Sequence, residues 1–121
     1  MDLIKITTPD FVFNDNRGSL VQLVHSGYKQ INSVFTKKDA VRGNFHYHKN
    51  TDETFFVVSG KVKVTAYYKG KKQDKTFSCS DMFIIEKNIR HTFKYLEDTY
   101  LIVLYQNEVE AADGTKDIWS D

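Results

Sequence analysis

A chain of 121 residues, 40% hydrophobic and 27% charged, has the size and balance of one globular domain, 1–121, large enough to bury a core without disulfide or metal staples. A net charge of +1 argues against a dedicated nucleic-acid binder, which concentrates basic charge on one face. No apolar run approaches the roughly 20 residues of a membrane-spanning helix. Neither nucleic acid nor membrane is therefore an expected partner. The start, Met1-Asp2-Leu3-Ile4-Lys5, lacks the apolar core of a signal peptide, and the single cysteine, Cys79, excludes an internal disulfide; both point to a reducing cytoplasm.

Aromatic residues are plentiful, nine Phe and seven Tyr, and suit half-buried strands better than helices. In Leu3 to Phe13 the residues Leu3, Ile4, Ile6, Phe11, Val12 and Phe13 need burial, so this stretch reads as an edge or swapped strand of a homodimer. Asp15-Asn16-Arg17-Gly18 and Ser26-Gly27 are turns around a strand at 20–24, and 31–35 reads as the next strand. Residues 54–58 form a short apolar run that suits a buried strand, closed by Ser59-Gly60. Val62, Val64, Ala66 and Tyr68 then alternate with Lys61, Lys63, Thr65 and Tyr67, a strand with one polar face. Lys69, Lys71 and Lys72 flank a solvated turn, and three further strands follow at 82–85, 91–96 and 100–105. Residues 107–112 have room for a turn of helix. The polar tail 113–121 either frays or docks Trp119 on a neighbour. Short strands with regular turns indicate an all-β sandwich or barrel.

The residues that carry chemistry are few. His46 and His48, one residue apart, share a face if they lie on a strand. Glu53 follows after turn-forming Asn50-Thr51-Asp52 and can fold back beside them, and His91 opens a later strand. Three imidazoles and a carboxylate suit one divalent ion, zinc, iron, nickel or manganese, and no organic cofactor is indicated. His25 and Cys79 are assigned no role.

Gly43-Asn44-Phe45-His46-Tyr47-His48, then Glu53, then Gly60, resembles the first motif of the cupin superfamily. Residues 85–91 resemble the second, with Glu86 in place of its usual proline and Asn88 in place of its glycine. The resemblance implies a single-domain double-stranded β-helix, or jelly-roll barrel. Within the superfamily, Asp15-Asn16-Arg17-Gly18 followed by Arg42-Gly43 is similar to the WxcM-like nucleotide-sugar 3,4-ketoisomerases, the 4-keto-sugar 3,5-epimerases and the polysaccharide-biosynthesis cupins. Those proteins carry Arg-Gly-x-His, so this chain has one extra residue before His46.

That likeness implies proton abstraction next to a ketone on a nucleotide-linked sugar, with His46 or His48 as base, Arg42 and Arg17 binding the diphosphate, and Tyr105 and Tyr95 as open candidates for the acid. Two alternatives stand beside it. The complete His46, His48, Glu53 and His91 set would serve a metal-dependent oxygenase, and a small cupin can also bind a sugar without catalysis.

Overall fold

In the computed structural model, which describes residues 2–121, the alternating segments fold as strands. Met1, the first residue of the expected domain, lies outside the described residues. Among these residues there are eleven strands and no helix: β1 Ile4–Thr7, β2 Phe11–Asp15, β3 Gly18–Gln22, β4 Gln30–Thr36, β5 Val41–His46, β6 Glu53–Ser59, β7 Lys61–Tyr68, β8 Lys71–Ser78, β9 Met82–Ile85, β10 Arg90–Tyr95 and β11 Thr99–Tyr105. No helix in the structure is long and apolar enough to cross a membrane.

One sheet has the order β1-β9-β6-β11-β4 and a second the order β5-β10-β7-β8, with every pairing antiparallel. From β4 to β11 the chain crosses repeatedly from one sheet to the other, which is the double-stranded β-helix that the motif resemblance implies. The inward faces supply the core. Phe55 and Phe83 stack at 4.9 Å between ring centroids, Phe77 and Phe83 at 4.0 Å, and Val62, Val64, Leu101 and Ile85 close around them. Gly60 turns the chain from one sheet into the other at φ +99°; a Cβ there would stand 2.4 Å from the Asp98 carbonyl oxygen, so the motif's last glycine is a steric necessity.

Three expectations are corrected. Leu3 to Phe13 is not one strand: Pro9 separates β1, an edge of the larger sheet, from β2, which joins β3 in a separate two-stranded hairpin. Residues 107–112 form no helix; Glu110 bridges Lys116 and the Ala111 N–H donates to Thr115 O at 2.8 Å, an irregular loop closed on itself. Strand β8 was not expected at all, because seven of its eight residues, KKQDKTFS, are polar and only Phe77 is buried. Its pairing with every residue of β7 overrides its composition. The tail does not fray, since Trp119 docks against Tyr47.

Candidate active site

The barrel is apolar and aromatic at one end and carries polar side chains at the other. β6 contributes Glu53 and then Phe55; β10 contributes His91 and then Phe93 and Tyr95, so the strands that build the core also present the site. His91 pairs with His46 across β10 and β5, and Phe93 pairs with Arg42. Gly43, Asn44 and Phe45 thus stand opposite Thr92 alone. They form a bulge with φ of +96°, +42° and +59°. The residue that is extra to the Arg-Gly-x-His pattern falls within this bulge. A Cβ on Gly43 would lie 2.9 Å from His91 O, so close approach as well as conformation calls for glycine.

His46 is the last residue of β5, and His48 lies beyond it, so the two do not occupy one regular strand as the spacing suggested. They meet all the same. Ring centroids of His46 and His48 are 5.1 Å apart, those of His46 and His91 4.5 Å, and one ligand atom from each of His46, His48, Glu53 and His91 lies within 4.8 Å of all the others. The second motif is tied to the first by the Asn88 N–H, which donates to His48 O at 2.6 Å; Asn88 takes φ +70°, the conformation glycine would supply.

Each imidazole uses Nδ1 on a backbone carbonyl: His46 on Gly43 at 2.8 Å, His48 on Asp117 at 2.5 Å, His91 on Ile89 at 3.0 Å. A carbonyl only accepts, so each Nδ1 carries a proton and each ring turns its Nε2 inward, bare whenever the ring holds a single proton. Two of these nitrogens reach Glu53 Oε1, His48 at 2.8 Å and His91 at 3.1 Å. The contacts are short, but a bare Nε2 and a carboxylate oxygen are both acceptors, and His48 Nε2 and Glu53 Oε1 remain buried without a hydrogen-bond partner. Burial works against the Glu53 charge, yet the two imidazoles outweigh it and hold its carboxyl down to about 2. Burial likewise disfavours charge on His48, but the Glu53 carboxylate more than offsets it and the pKa is raised. His46 is lowered, by burial first and then by the neighbouring His91. Three nitrogens and one oxygen, from His46, His48, His91 and Glu53, two of them buried without a hydrogen-bond partner, suit a borderline divalent ion.

Above this floor opens a cavity of about 180 Å³ with apolar walls that include Val34, Phe55, Leu101, Val103 and Ile118. Arg42 stands exposed at its edge, its Nε donating to Thr36 Oγ1 at 2.7 Å. Tyr95 and Tyr105 both line it. Burial raises the Tyr95 hydroxyl against the pull of Thr36 and Arg42, and burial together with the Glu53 charge pushes Tyr105 up to about 12. Both are protonated donors at neutral pH. Tyr47 faces away, beneath the Arg90 guanidinium at 3.6 Å. Arg17 lies in the β2–β3 turn with its side chain 82% exposed and paired to Asp15 at 2.6 Å, and it does not line this cavity. Cys79 is exposed, and His25 is paired with Asp10 on the surface. Sequence reasoning missed Thr36 and Asp117, whose partners lie 6 and 69 residues away. The only signal for the second was the apolar pair Ile118-Trp119 in a polar tail.

Residues 13–115 match the family model described as polysaccharide biosynthesis C-terminal domain. The chain belongs to this family. No curated protein matches its sequence. Among solved structures it is similar to a 3,4-ketoisomerase from Helicobacter canadensis, with TM-score 0.81 and 23% identity over 98% of this chain and 90% of that one. It is also similar to a variant 3,4-ketoisomerase from Thermoanaerobacterium thermosaccharolyticum in complex with TDP-4-keto-6-deoxyglucose, with TM-score 0.81 and 15% identity over 100% and 89% of the two chains. A dTDP-4-dehydrorhamnose 3,5-epimerase from Sulfolobus tokodaii matches at TM-score 0.75 and 21% identity over 93% and 80%. At these identities the likeness establishes the fold, and the fold of this polysaccharide-biosynthesis domain is that of a cupin.

Proposed function

We propose that this domain is an isomerase or epimerase of a nucleotide-linked 4-keto-6-deoxy sugar. The observation that carries the reading is the convergence of His46, His48 and His91, each with its Nε2 turned inward, under an apolar cavity edged by Arg42. Structural neighbours that handle TDP-sugars on the same fold support the substrate class. A cavity of about 180 Å³ suits one hexose ring, its apolar walls suit a deoxy sugar, and the diphosphate then falls outside, where the Arg42 guanidinium can take it in bidentate fashion.

The chemistry follows from the charge states. A ketone at C4 acidifies the hydrogen on C3. His46, held neutral by burial, can remove it, and His48, biased toward its charged form by Glu53, can donate to the developing enediolate oxygen, as can the protonated Tyr105. Return of the proton to C4, with the C3 hydroxyl proton passing to the C4 oxygen, gives the 3-keto isomer; its return to C3 from the opposite face gives the epimer. Wild-type protein in deuterated water should wash deuterium into C3 of a 4-keto sugar nucleotide, and His48→Asn should slow this by roughly a hundredfold or more.

The orphaned Nε2 of His48 and Oε1 of Glu53 favour a second use of the same residues, in which His46, His48, Glu53 and His91 hold zinc, iron, nickel or manganese. Such an ion would polarise the ketone oxygen. A lone pair that holds an ion cannot also take a proton, so elemental analysis of protein purified without added metal separates the two uses. No exchange together with a stoichiometric redox-active metal would move the reading to an oxygenase, and neither exchange nor metal would leave a sugar-binding module.

The working form we propose is a homodimer in the cytoplasm. Half-exposed Phe11, Val12, Phe13 and Leu20 on the hairpin, with Ile31, Phe35 and Tyr100 on the larger sheet, offer apolar surface for a second copy. A free, exposed thiol at Cys79 and a nucleotide-sugar substrate both suit a reducing compartment. A sedimentation-equilibrium mass of two chains at micromolar concentration is expected.

A further inference from the structure

His46 and His91 are oriented locally, by carbonyls three and two residues away in their own strand ends. His48 is different. It lies past the end of β5, outside either large sheet, and the carbonyl that accepts from its Nδ1 belongs to Asp117, 69 residues further along. That carbonyl is itself held in place. The Asp117 carboxylate, on a residue 8% exposed, accepts from the backbone N–H groups of Lys49 and Asn50 at 2.8 Å each and from the Trp119 indole at 2.9 Å. The Asp117 N–H donates to Val109 O at 2.7 Å. On its far side, Trp119 and Tyr47 exchange two backbone hydrogen bonds at 2.9 and 3.0 Å, and the Lys49 ammonium rests 3.7 Å from the centre of the Trp119 ring. Finally Asp121 pairs with Arg90 at 2.9 Å. Residues 117–121 thus form a strap clasped to both neighbours of His48 in sequence.

We propose that Asp117 is a positioning residue: its carboxylate clasps the main chain after His48, and its carbonyl keeps the His48 proton on Nδ1, so that Nε2 faces the cavity bare. This rests on the reading of His48 as a working residue of the site. Without the clasp, the Glu53 carboxylate 2.8 Å from Nε2 would favour a proton on that nitrogen instead, and a ring free to turn or to shift its proton would present an N–H inward part of the time. The strap also carries Ile118 into the cavity wall, so one short segment sets both a wall and a tautomer.

Long-range proton–nitrogen correlation spectra of the 15N-labelled full chain test this directly. In the wild type, at a pH high enough to leave the rings neutral, His48 and His91 should both show a protonated Nδ1 and a bare Nε2. In Asp117→Ala, His48 should lose that single pattern while His91, held by Ile89 O, keeps it. Asp117→Asn, which retains an oxygen acceptor, should restore much of it. In parallel, turnover on a 4-keto sugar nucleotide should fall about 10- to 100-fold in Asp117→Ala with KM changed little, the size expected when the partner that orients a working imidazole is lost. If Asp117→Ala does not fold, Trp119→Ala removes one of the three clasp contacts and should shift the His48 pattern in the same direction by less. An unchanged His48 pattern in a folded variant, or equal changes at His48 and His91, overturns the proposal. A His48-selective change in a protein that shows no keto-sugar exchange would instead leave the strap standing and remove the isomerase reading.

Discussion

The barrel and the β2–β3 hairpin draw on the same residue types and come to opposite fates. Phe55, Phe77, Phe83 and Phe93 are buried and face one another across two sheets, whereas Phe11, Val12, Phe13 and Leu20 are each about half exposed. The cause is architectural. A strand in either large sheet has a second layer to pack on, while a two-stranded sheet by itself has two faces and no layer behind it. The barrel is completed by its own chain. The hairpin carries apolar surface that its own chain does not cover, and its arginine, Arg17, stays with it and away from the cavity.

That contrast can be broken in stages. Phe83→Ala, at the centre of the stacked rings, should destabilise the fold by about 3–5 kcal/mol, read from urea unfolding. A loss no larger than that of a hairpin substitution would mean the rings are not the core. Arg42→Ala should weaken nucleotide-sugar binding by about 1.5–3 kcal/mol, the scale of hydrogen bonds to a charged group, with C3 exchange at saturating substrate nearly intact. Unaltered KM would remove the diphosphate from the rim. Phe13→Lys should shift the sedimentation mass from two chains toward one while changing the stability of the single chain by only about 0.5 kcal/mol. Last, Arg17→Ala should alter stability by less than about 0.5 kcal/mol, because its ion pair with Asp15 is solvated. Should it instead raise KM as much as Arg42→Ala does, the hairpin would belong to the site after all.

Period-two alternation carried most of the barrel. Lys61–Tyr68 reads as a strand because each inward residue is apolar and each outward one polar or solvated, and the structure buries Val62, Val64 and Ala66 on that pattern while Thr65 and Tyr68 are both half-buried. The four site residues were legible because their types are rare in a β core, so a cluster of them has few innocent explanations. β8 was not legible, since it is an edge strand paired on one side and its hydrogen bonds, rather than its side chains, fix its conformation. The strap was hidden for another reason. Its contacts to His48, Lys49 and Asn50 span 67 to 69 residues, and each has a main-chain atom on one side that carries no sequence signal.

The bulge at Gly43, Asn44 and Phe45 separates two distances that a regular strand would lock together. In a continuous ladder, each residue added between Arg42 and His46 would flip the imidazole to the opposite side of the sheet. Here three left-handed residues are looped out against Thr92, and both ends of the segment stay in register, Arg42 with Phe93 and His46 with His91. The segment works as an adjustable gauge. A related chain with one residue more or fewer in this segment would change how far its rim guanidinium reaches while the deep imidazole kept its seat. Superposing such proteins by counting along the chain would match the wrong residues, and superposing them by the partner of His91 would match the right ones.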